Sequence, residues 1–466
     1  MTDGGKTDTD MSEDLNDWLG YNRRDFLKSG SVATVMAMMG GVPLFARDTA
    51  APAAESNAGV TKIKVGLIGL GLWGRDILNA LQGPSLPMAE VAAICDNYPA
   101  SLKRGANAAP GAIQTADYKT ILDNKDIPAV IVATATHQHK DIVLQALKAG
   151  KHVYCEAPLA NNIEDARAIA RAARDAKEQV FQAGLHLRSD PQRHFLLPFI
   201  RSGALGKVLM ARAQWHKKVS WRSASPNPER DKAINWRLNK ETSIGLIGEI
   251  GMHQVDQAAW FLNSRPISVV GHGSIAFWAD GRDVPDTVLA AYEFPGGVTL
   301  SCDFTLANSF DAGYEMFYGS DAAVMLRESK AWMFKEVDSP LLGWEVYARK
   351  DIFYKETGIA LVANASKSVQ VAASGEELTF TSTSLAKSLE TFLRNSADIA
   401  AATKEYVESI SADDKPGLIE QLSKVQRRAA AGYLEGYHAN VTAIKSNEAV
   451  LTGQRIVFKP EWYELG

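Results

Sequence analysis

The feature that most constrains the fold is a glycine-rich segment that follows a short apolar run. Ile63–Ile68 contains four apolar side chains, and Gly69–Gly74 has glycine at its first, third and sixth positions. This pattern predicts a buried parallel strand, a tight turn and a helix that begins in the turn. The next apolar run, Val91–Cys95, ends on Asp96. Strand, glycine turn, helix and acid in that order predict a dinucleotide-binding site.

Each part of this segment has a separate physical task. Gly69 permits the tight turn, Gly71 lets a pyrophosphate approach the backbone, and Gly74 lets helix and strand pack closely. The helix N-terminus supplies free N–H donors and the positive end of a dipole to the phosphates. Asp96 accepts hydrogen bonds from a ribose diol and repels a 2′-phosphate, which predicts NAD rather than NADP. The alternative is a glycine turn that binds no nucleotide.

Length and composition allow a globular protein of two domains. The chain has 466 residues, a formal net charge of −4 and no basic tract typical of nucleic-acid binding. Its three cysteines, Cys95, Cys155 and Cys302, are far apart and have no Cys-x-x-Cys spacing. We therefore expect buried thiols, with no disulfide and no metal site.

The N-terminal 59 residues have the pattern of an export signal. Asn22–Lys28 contains two adjacent arginines followed by Asp-Phe-Leu-Lys, and a weakly apolar stretch follows at Gly30–Phe45. Small residues at Ala51–Ala54 offer a cleavage region. The pattern predicts a twin-arginine signal peptide and linker over residues 1–59, recognised by the twin-arginine export machinery, and hence a periplasmic protein. An amphipathic helix that carries two arginines is the alternative.

Export by this route bears on the cofactor. The twin-arginine route carries folded proteins, and free dinucleotide is scarce outside the cytoplasm. An exported nucleotide enzyme is therefore expected to fold around its cofactor first, which predicts tightly held and recycled NAD.

Strands and helices alternate along the chain as far as Gly184. Further strands are predicted at Ala129–Thr134 and Lys151–Cys155, and helices at Asp141–Ala149 and from Asn162 to about Lys177. This alternation predicts an α/β fold with a doubly wound parallel Rossmann sheet over residues 60–184. Later apolar runs predict strands at Val208–Trp215, Ile267–Phe277, Thr287–Phe294, Val298–Thr305 and Tyr314–Leu326, with a hairpin turn at Pro295–Gly297. Ile444–Phe458 and Glu461–Tyr463 predict a returning helix and tail.

From Lys62 to its C-terminus the sequence resembles the Gfo/Idh/MocA oxidoreductases, named for glucose–fructose oxidoreductase and inositol dehydrogenase. The resemblance rests on the order of the glycine loop, Asp96, Ala133–His139, the segment 149–153, Cys155-Glu156-x-Pro158 and Gly248-Glu249-x-Gly251-x-His253-x-x-Asp256. It implies that residues 185–466 form a second α/β domain on an open, mostly antiparallel sheet that covers the nicotinamide. It also implies a carbohydrate substrate and a homo-oligomer.

The sequence departs from the family pattern at the reacting hydroxyl. The family lysine of Glu-Lys-Pro is replaced by Ala157, and the family Asp-x-x-x-His pair reads Glu249-x-x-x-His253. Residues four apart on a helix share a face, so we expect Glu249 to orient His253, which titrates near neutrality and moves the hydroxyl proton. A surface ion pair or a packed histidine is the alternative. The missing lysine also calls for another cation, for which the candidates are Lys217, Lys218, Arg222 and Arg237.

The predicted site residues follow from these motifs. His186 and Arg188 come after the strand that ends near Gly184, at the carboxyl edge where ligands bind, although a surface role explains them equally well. Indole faces stack on sugar rings and arginines hold hydroxyls, which favours Trp236 and Arg237. The catalytic residues are predicted to be His253 and Glu249, and the substrate residues His186, Trp236, Arg237 and Lys217. The predicted cofactor-binding residues are Gly69, Leu70, Gly71, Leu72, Trp73, Gly74, Asp96, Thr134, His137, His139, Glu156, Ala157 and Arg188.

Three functions are compatible with the sequence. The first is an exported NAD-dependent oxidoreductase acting on a ring hydroxyl of a sugar or glycoside. The second is an NAD-dependent glycosidase that works by transient oxidation, elimination and re-reduction, which the loss of the lysine keeps open. The third is a non-catalytic sugar-binding protein, against which the intact glycine loop and the Glu249/His253 motif argue.

The export signal yields a direct test. Replacing Arg23 and Arg24 by lysines keeps both charges but removes the paired guanidinium groups. We expect the precursor to stay in the cytoplasm, as measured by fractionation and immunoblotting. Unchanged export of this variant would remove the twin-arginine interpretation.

Overall fold

The structure, a computed structural model, describes residues 62–327, 330–339, 349–353, 356–361 and 383–466. The predicted signal segment 1–59 lies outside the described residues. The described chain contains two sheets, one parallel and one mostly antiparallel, which confirms the predicted fold class.

The first sheet is parallel throughout its six described strands. These are β1 (Ile63–Ile68), β2 (Ala89–Cys95), β3 (Ile113–Thr115), β4 (Ala129–Val132), β5 (His152–Cys155) and β6 (Phe181–Ala183). The intervening helices are α1 (Leu72–Gln82), α2 (Pro99–Ala108), α3 (Lys119–Asp123), α4 (His139–Lys148) and α5 (Ile163–Asp175). The spatial order is β3-β2-β1-β4-β5-β6, so the winding direction reverses between β1 and β4. Ligands of such sheets bind in the crevice at that reversal.

Local sequence explains where these elements begin. All four side chains of β4 are buried, as expected for a central parallel strand covered on both faces. At the start of α5, the Asn162 side-chain oxygen accepts a hydrogen bond from the Asp165 amide at 2.9 Å, which caps the helix as predicted.

The second sheet has ten strands in the described part of the chain. They are β7 (Val208–His216), β8 (Ser268–Ser274), β9 (Thr287–Glu293), β10 (Thr299–Thr305), β11 (Gly313–Gly319), β12 (Ala322–Arg327), β13 (Lys330–Lys335), β14 (Arg349–Phe353), β15 (Glu356–Leu361) and β16 (Ile456–Val457). Their order is β14-β15-β13-β12-β11-β7-β10-β9-β8-β16, with a parallel pairing of β7 and β10 at its centre. The helices after β6 are α6 (Pro191–Arg201), α7 (Pro228–Ile234), α8 (Met252–Phe261), α9 (Ser384–Ser409), α10 (Lys415–Ser423) and α11 (Tyr433–Thr452).

Two predicted elements have different bounds in the structure. The single strand predicted at Tyr314–Leu326 is a hairpin of β11 and β12, because the amides of Ser320 and Asp321 turn to bond the carbonyls of Lys207 and Leu205. The helix predicted within Ile444–Phe458 is α11, which begins earlier and ends at Gly453 with a left-handed φ of +68°.

Helices α9 and α10 pack on the first sheet although they follow the second in sequence. Leu389, Phe392 and Leu393 of α9 are fully buried in the core beneath β1 and β5, and Phe392 contacts the Tyr154 ring edge-on at 5.7 Å. The two sheets lie on opposite sides of the boundary predicted at residue 184, but the core of the first sheet also includes side chains from α9 and α10, which come after that boundary.

The three cysteines are buried free thiols, as predicted. Among the described residues, every helix is too short or too polar to cross a bilayer.

The close approach of α1 to the preceding turn predicts a stability difference between two glycines. A Cβ at Gly74 would lie 2.0 Å from the carbonyl oxygen of Gly69, whereas a Cβ at Gly71 would meet no atom within 4 Å. Gly74→Ala should lower the free energy of unfolding by about 1–3 kcal/mol, the usual penalty of overpacking. Gly71→Ala is the matched control and should stay within about 0.5 kcal/mol of the wild type. Equal denaturation midpoints for the two variants would contradict this packing.

Candidate active site

The glycine loop between β1 and α1 is shaped for a phosphate group. Gly69 has a φ of +99°, and a Cβ there would lie 2.5 Å from the Ala133 carbonyl oxygen. Gly71 faces open space, and no side chain caps the first turn of α1, which begins at Leu72. Uncapped N–H groups at a helix N-terminus bind anions. This loop therefore fits the pyrophosphate of a dinucleotide.

Asp96 lies at the end of β2, beside the same loop. One carboxylate oxygen accepts a hydrogen bond from the Leu70 amide at 2.8 Å, and the other accepts one from the Tyr98 amide at 2.7 Å. Each oxygen has a second lone pair, which remains available to a ribose hydroxyl. The two amides thus fix the carboxylate in the position that the sequence predicted for it.

Buried polar atoms without partners mark the continuation of the crevice along the sheet edge. Within the described residues, these include Thr134 Oγ1, His137 Nδ1 and Glu156 Oε1, which follow strands β4 and β5. Buried polar atoms are rarely left unpaired in native proteins. Their position at one edge indicates that a polar ligand completes them. Ala157, next to Glu156, contributes only a methyl group.

The buried Glu156 and the half-buried His186 and His253 form a cluster at this edge. His186 Nε2 lies 3.4 Å from a carboxylate oxygen of Glu156, and its ring stacks on the His253 ring at 5.4 Å. The Trp73 ring covers the other side of His186 at 5.5 Å. Burial opposes the charged form of the carboxyl, yet neighbouring rings hold the pKa of Glu156 below its usual value, with His186 contributing most. The Glu156 carboxylate therefore lies next to His186, and His253 stacks on His186.

His253 differs from the expectation that it titrates near neutrality. Burial lowers its pKa to about 4, the nearby His186 adds to the shift, and Glu156 opposes it. His253 is therefore a neutral proton acceptor at physiological pH, because the site is drier than the sequence alone indicated.

Glu249 is not the partner of His253. Its carboxylate accepts hydrogen bonds from Thr136 Oγ1 at 3.2 Å, from Ser243 Oγ at 3.3 Å and from the Ile244 amide at 3.3 Å. The four-residue spacing implied a shared face only for a continuous α-helix, but Ile247–Gly251 is a π-helical turn that precedes α8. Burial raises the pKa of Glu249 despite the opposing charge of Arg237.

Arg237 stands out among the four cations that the sequence offered in place of the missing lysine. Its Nε lies 3.8 Å from the buried carboxylate of Glu249, and its guanidinium lies 4.7 Å from the Trp236 ring and 5.8 Å from the Trp221 ring. Trp236 in turn contacts His137 edge-on at 6.1 Å. Arg237 therefore contacts crevice residues in two directions, Glu249 on one side and Trp236, next to His137, on the other.

The other three cations are placed differently. Arg222 is paired with Asp231 at 3.0 Å, and Lys218 lies 4.8 Å from the Phe277 ring. Lys217 is exposed, and its amide bonds the Thr305 carbonyl. The structure thus brings Arg237, but not the predicted Lys217, to the residues around Glu249.

Two predicted cofactor residues have structural partners instead. His139 is 1% exposed, and its ring nitrogens face the carbonyls of Pro158 and Thr134 at 3.0 and 3.1 Å, so it fastens the loop after β5 to the loop after β4. Arg188 forms a two-pronged ion pair with Asp256, each N–O distance being 2.8 Å. Burial disfavours its charge, but Asp256 raises the pKa of Arg188 above its usual value. Both residues thus have partners within the protein, and their contact with the cofactor stays a prediction.

Sequence reasoning missed two residues that hold the Glu249 carboxylate. Thr136 lies inside the Ala133–His139 motif but was not singled out, and Ser243 is an isolated serine in a loop. The polar run after β4 was a usable signal for Thr136. Ser243 is close only because the π-helical turn folds back on it, which no local pattern indicates.

Comparison with known proteins agrees with this architecture. The NAD-binding Rossmann model of the GFO_IDH_MocA oxidoreductase family matches residues 63–184, and the GFO/IDH/MocA C-terminal domain model matches residues 198–324. A levoglucosan dehydrogenase of Pseudarthrobacter phenanthrenivorans is 28% identical over 272 residues, which are 52% of this chain and 67% of that protein. An inositol 2-dehydrogenase of Saccharopolyspora erythraea is 27% identical over 252 residues, which are 54% of this chain and 68% of that protein.

Solved structures show the same fold. A levoglucosan dehydrogenase in complex with NADH superposes with a TM-score of 0.63 at 19% identity, covering 86% of this chain and all of the other. An aldose-aldose oxidoreductase from Caulobacter crescentus gives a TM-score of 0.59 at 18% identity, covering 85% of this chain and all of the other. Because the two models of this family together match more than half of the chain, it belongs to the Gfo/Idh/MocA family of NAD-binding oxidoreductases.

Proposed function

We propose that this protein is an exported NAD-dependent oxidoreductase that interconverts a ring hydroxyl and a keto group of a carbohydrate, with a retained and recycled cofactor. The observation that carries the proposal is the Glu156–His186–His253 cluster at the sheet edge beside the glycine loop. Relatives named as dehydrogenases of levoglucosan and inositol favour the substrate class. Export rests on the N-terminal sequence pattern.

The nucleotide is held by the first sheet. The uncapped start of α1 and the open face of Gly71 receive the pyrophosphate, and Asp96 receives the ribose hydroxyls. NAD held there would supply the hydride transfer between the carbinol carbon and the ketone.

The proton is handled by the histidine pair. His253, neutral because burial lowers its pKa to about 4, accepts the hydroxyl proton of the substrate. The positive charge that results is stabilised by the Glu156 carboxylate, which lies 3.4 Å from the stacked His186. The Glu156 carboxylate thus raises the pKa of His253 and partly offsets the lowering by burial.

Arg237 replaces the charge of the missing lysine. It is 35% exposed in its side chain while its Nε faces the buried Glu249, so its remaining N–H groups are accessible from the crevice. The adjacent Trp236 and Trp221 offer indole faces for the apolar side of a sugar ring. Oxygen developing negative charge is thereby stabilised by a guanidinium instead of an ammonium.

Substrate screening tests the proposal as a whole. The purified protein with its own nucleotide is mixed with a panel of sugars, inositols and aryl glycosides while nicotinamide absorbance and aglycone release are followed together. We expect an absorbance change with at least one free sugar or inositol and no aglycone release. Aglycone release without net change in nicotinamide absorbance would contradict a dehydrogenase.

Loss of His253 should abolish most turnover. His253→Ala is expected to lower kcat by about two to four orders of magnitude, the worth of a positioned acid–base group. Bound NAD should survive, since the first sheet holds it. His272→Ala, an exposed histidine on β8, is the matched control and should keep full turnover.

The pH profile distinguishes the acid–base role from a structural one. Because the pKa of His253 is lowered to about 4, kcat/KM should stay level through the neutral range and decline only as the pH falls towards that value. A decline centred near the ordinary histidine pKa of about 6.5 would contradict the buried neutral base.

Cofactor choice should follow Asp96. The Asp96 carboxylate disfavours a 2′-phosphate by on the order of 1–3 kcal/mol through charge repulsion. Because Asp96→Ala removes this charge, the preference for NAD over NADP should fall about tenfold or more. Asp126→Ala, an exposed aspartate just before β4, is the control. The nucleotide released by denaturing the native protein should be NAD, and released NADP would overturn the assignment.

A further inference from the structure

A second pocket lies on another face of the helix that carries His253. It has a volume of about 480 Å³ and is enclosed by α8, α11 and the turn His186–Ser189. Its apolar walls include Met252 and Val255, and Trp260 lies at its side. This volume is within the range of small-molecule sites in proteins.

The pocket carries more positive than negative charge. Its lining includes three arginines and two carboxylates, namely Arg188, Arg201, Arg265, Asp256 and Glu435. His438 also lines it. The Arg188–Asp256 ion pair is internally neutral. Two arginines therefore remain against a single carboxylate, Glu435, which accepts a hydrogen bond from the Gly432 amide at 2.9 Å.

The two remaining arginines have no acidic partner within the described ranges. Arg201 donates to the carbonyl of Trp260, and the Arg265 guanidinium lies 4.6 Å from the Tyr463 ring. Both are contacts that leave several N–H donors free, since a guanidinium carries five.

The positive groups also repel one another. Burial and the charge of Arg188 lower the pKa of Arg201. Burial lowers the pKa of His438 to about 4, and Arg265 contributes to that shift, so this histidine is neutral. The side chains thus form a positive field in a partly enclosed space, where Coulomb interactions are less screened than in water.

We propose that this pocket binds a small organic anion, a carboxylate with an apolar body. The charged group contacts Arg201 and Arg265, and the body packs against Met252, Val255 and Trp260. Guanidinium groups bind carboxylates with paired hydrogen bonds, and the apolar walls favour a ligand that is more than an inorganic ion.

Calorimetry with a matched pair of probes tests this site. The whole protein, saturated with NAD so that the glycine loop is filled, is titrated with sodium benzoate and with benzamide, a neutral molecule of similar shape. We expect benzoate to bind at least tenfold more tightly. Arg201→Gln and Arg265→Gln should each weaken benzoate binding about tenfold and leave benzamide binding unchanged. Arg104→Gln, an exposed arginine on α2, should change neither.

Several outcomes would overturn the proposal. These are equal affinity for the two probes, unchanged benzoate binding in both variants, or benzoate binding that disappears when NAD is added. A change of oligomeric mass in either variant, measured by light scattering, would show that the pocket is a subunit contact. Arg201 and Arg265 are both exposed, so both variants are expected to fold, which circular dichroism and the melting temperature check.

Discussion

The buried carboxylate of Glu156 is the interaction on which the rest of the site depends. Its backbone amide donates to the Val132 carbonyl, so the end of β5 is fastened to β4. A Cβ at Gly184 would lie 2.6 Å from its Oε2, so the neighbouring strand end must be glycine to admit the side chain. An isolated buried charge is strongly unfavourable, and the stacked histidines supply the compensating groups. Of the two, His186 contacts the carboxylate directly, and His253 stacks on His186.

The parts of the fold with local signals were predictable. The glycine loop, the parallel strands and the Asn162 cap each depend on spacing within a few residues, and each was confirmed. Strand alternation also predicted most strands of the second sheet. The turn at Ser320 and Asp321 was not predicted, because apolar runs on both sides of it were read as one strand.

The electrostatics of the site were not predictable in the same way. The spacing of Glu249 and His253 predicted a pair. Glu249 lies in a π-helical turn, however, and contacts Thr136 and Arg237 instead. The low pKa of His253 arises from burial by residues distant in sequence, which no motif reports. Arg188 likewise has a partner 68 residues away, Asp256, and their ion pair lines the second pocket.

The packing of α9 and α10 has a consequence for the order in which the protein is made. The core under β1 and β5 includes Leu393 and Leu422, which are synthesised long after β6. The nucleotide-binding part therefore lacks some of its core on the ribosome until α9 and α10 have emerged, after strands β7 to β15. Under the proposed export of a folded precursor, transport therefore follows the synthesis of α10, near the end of the chain.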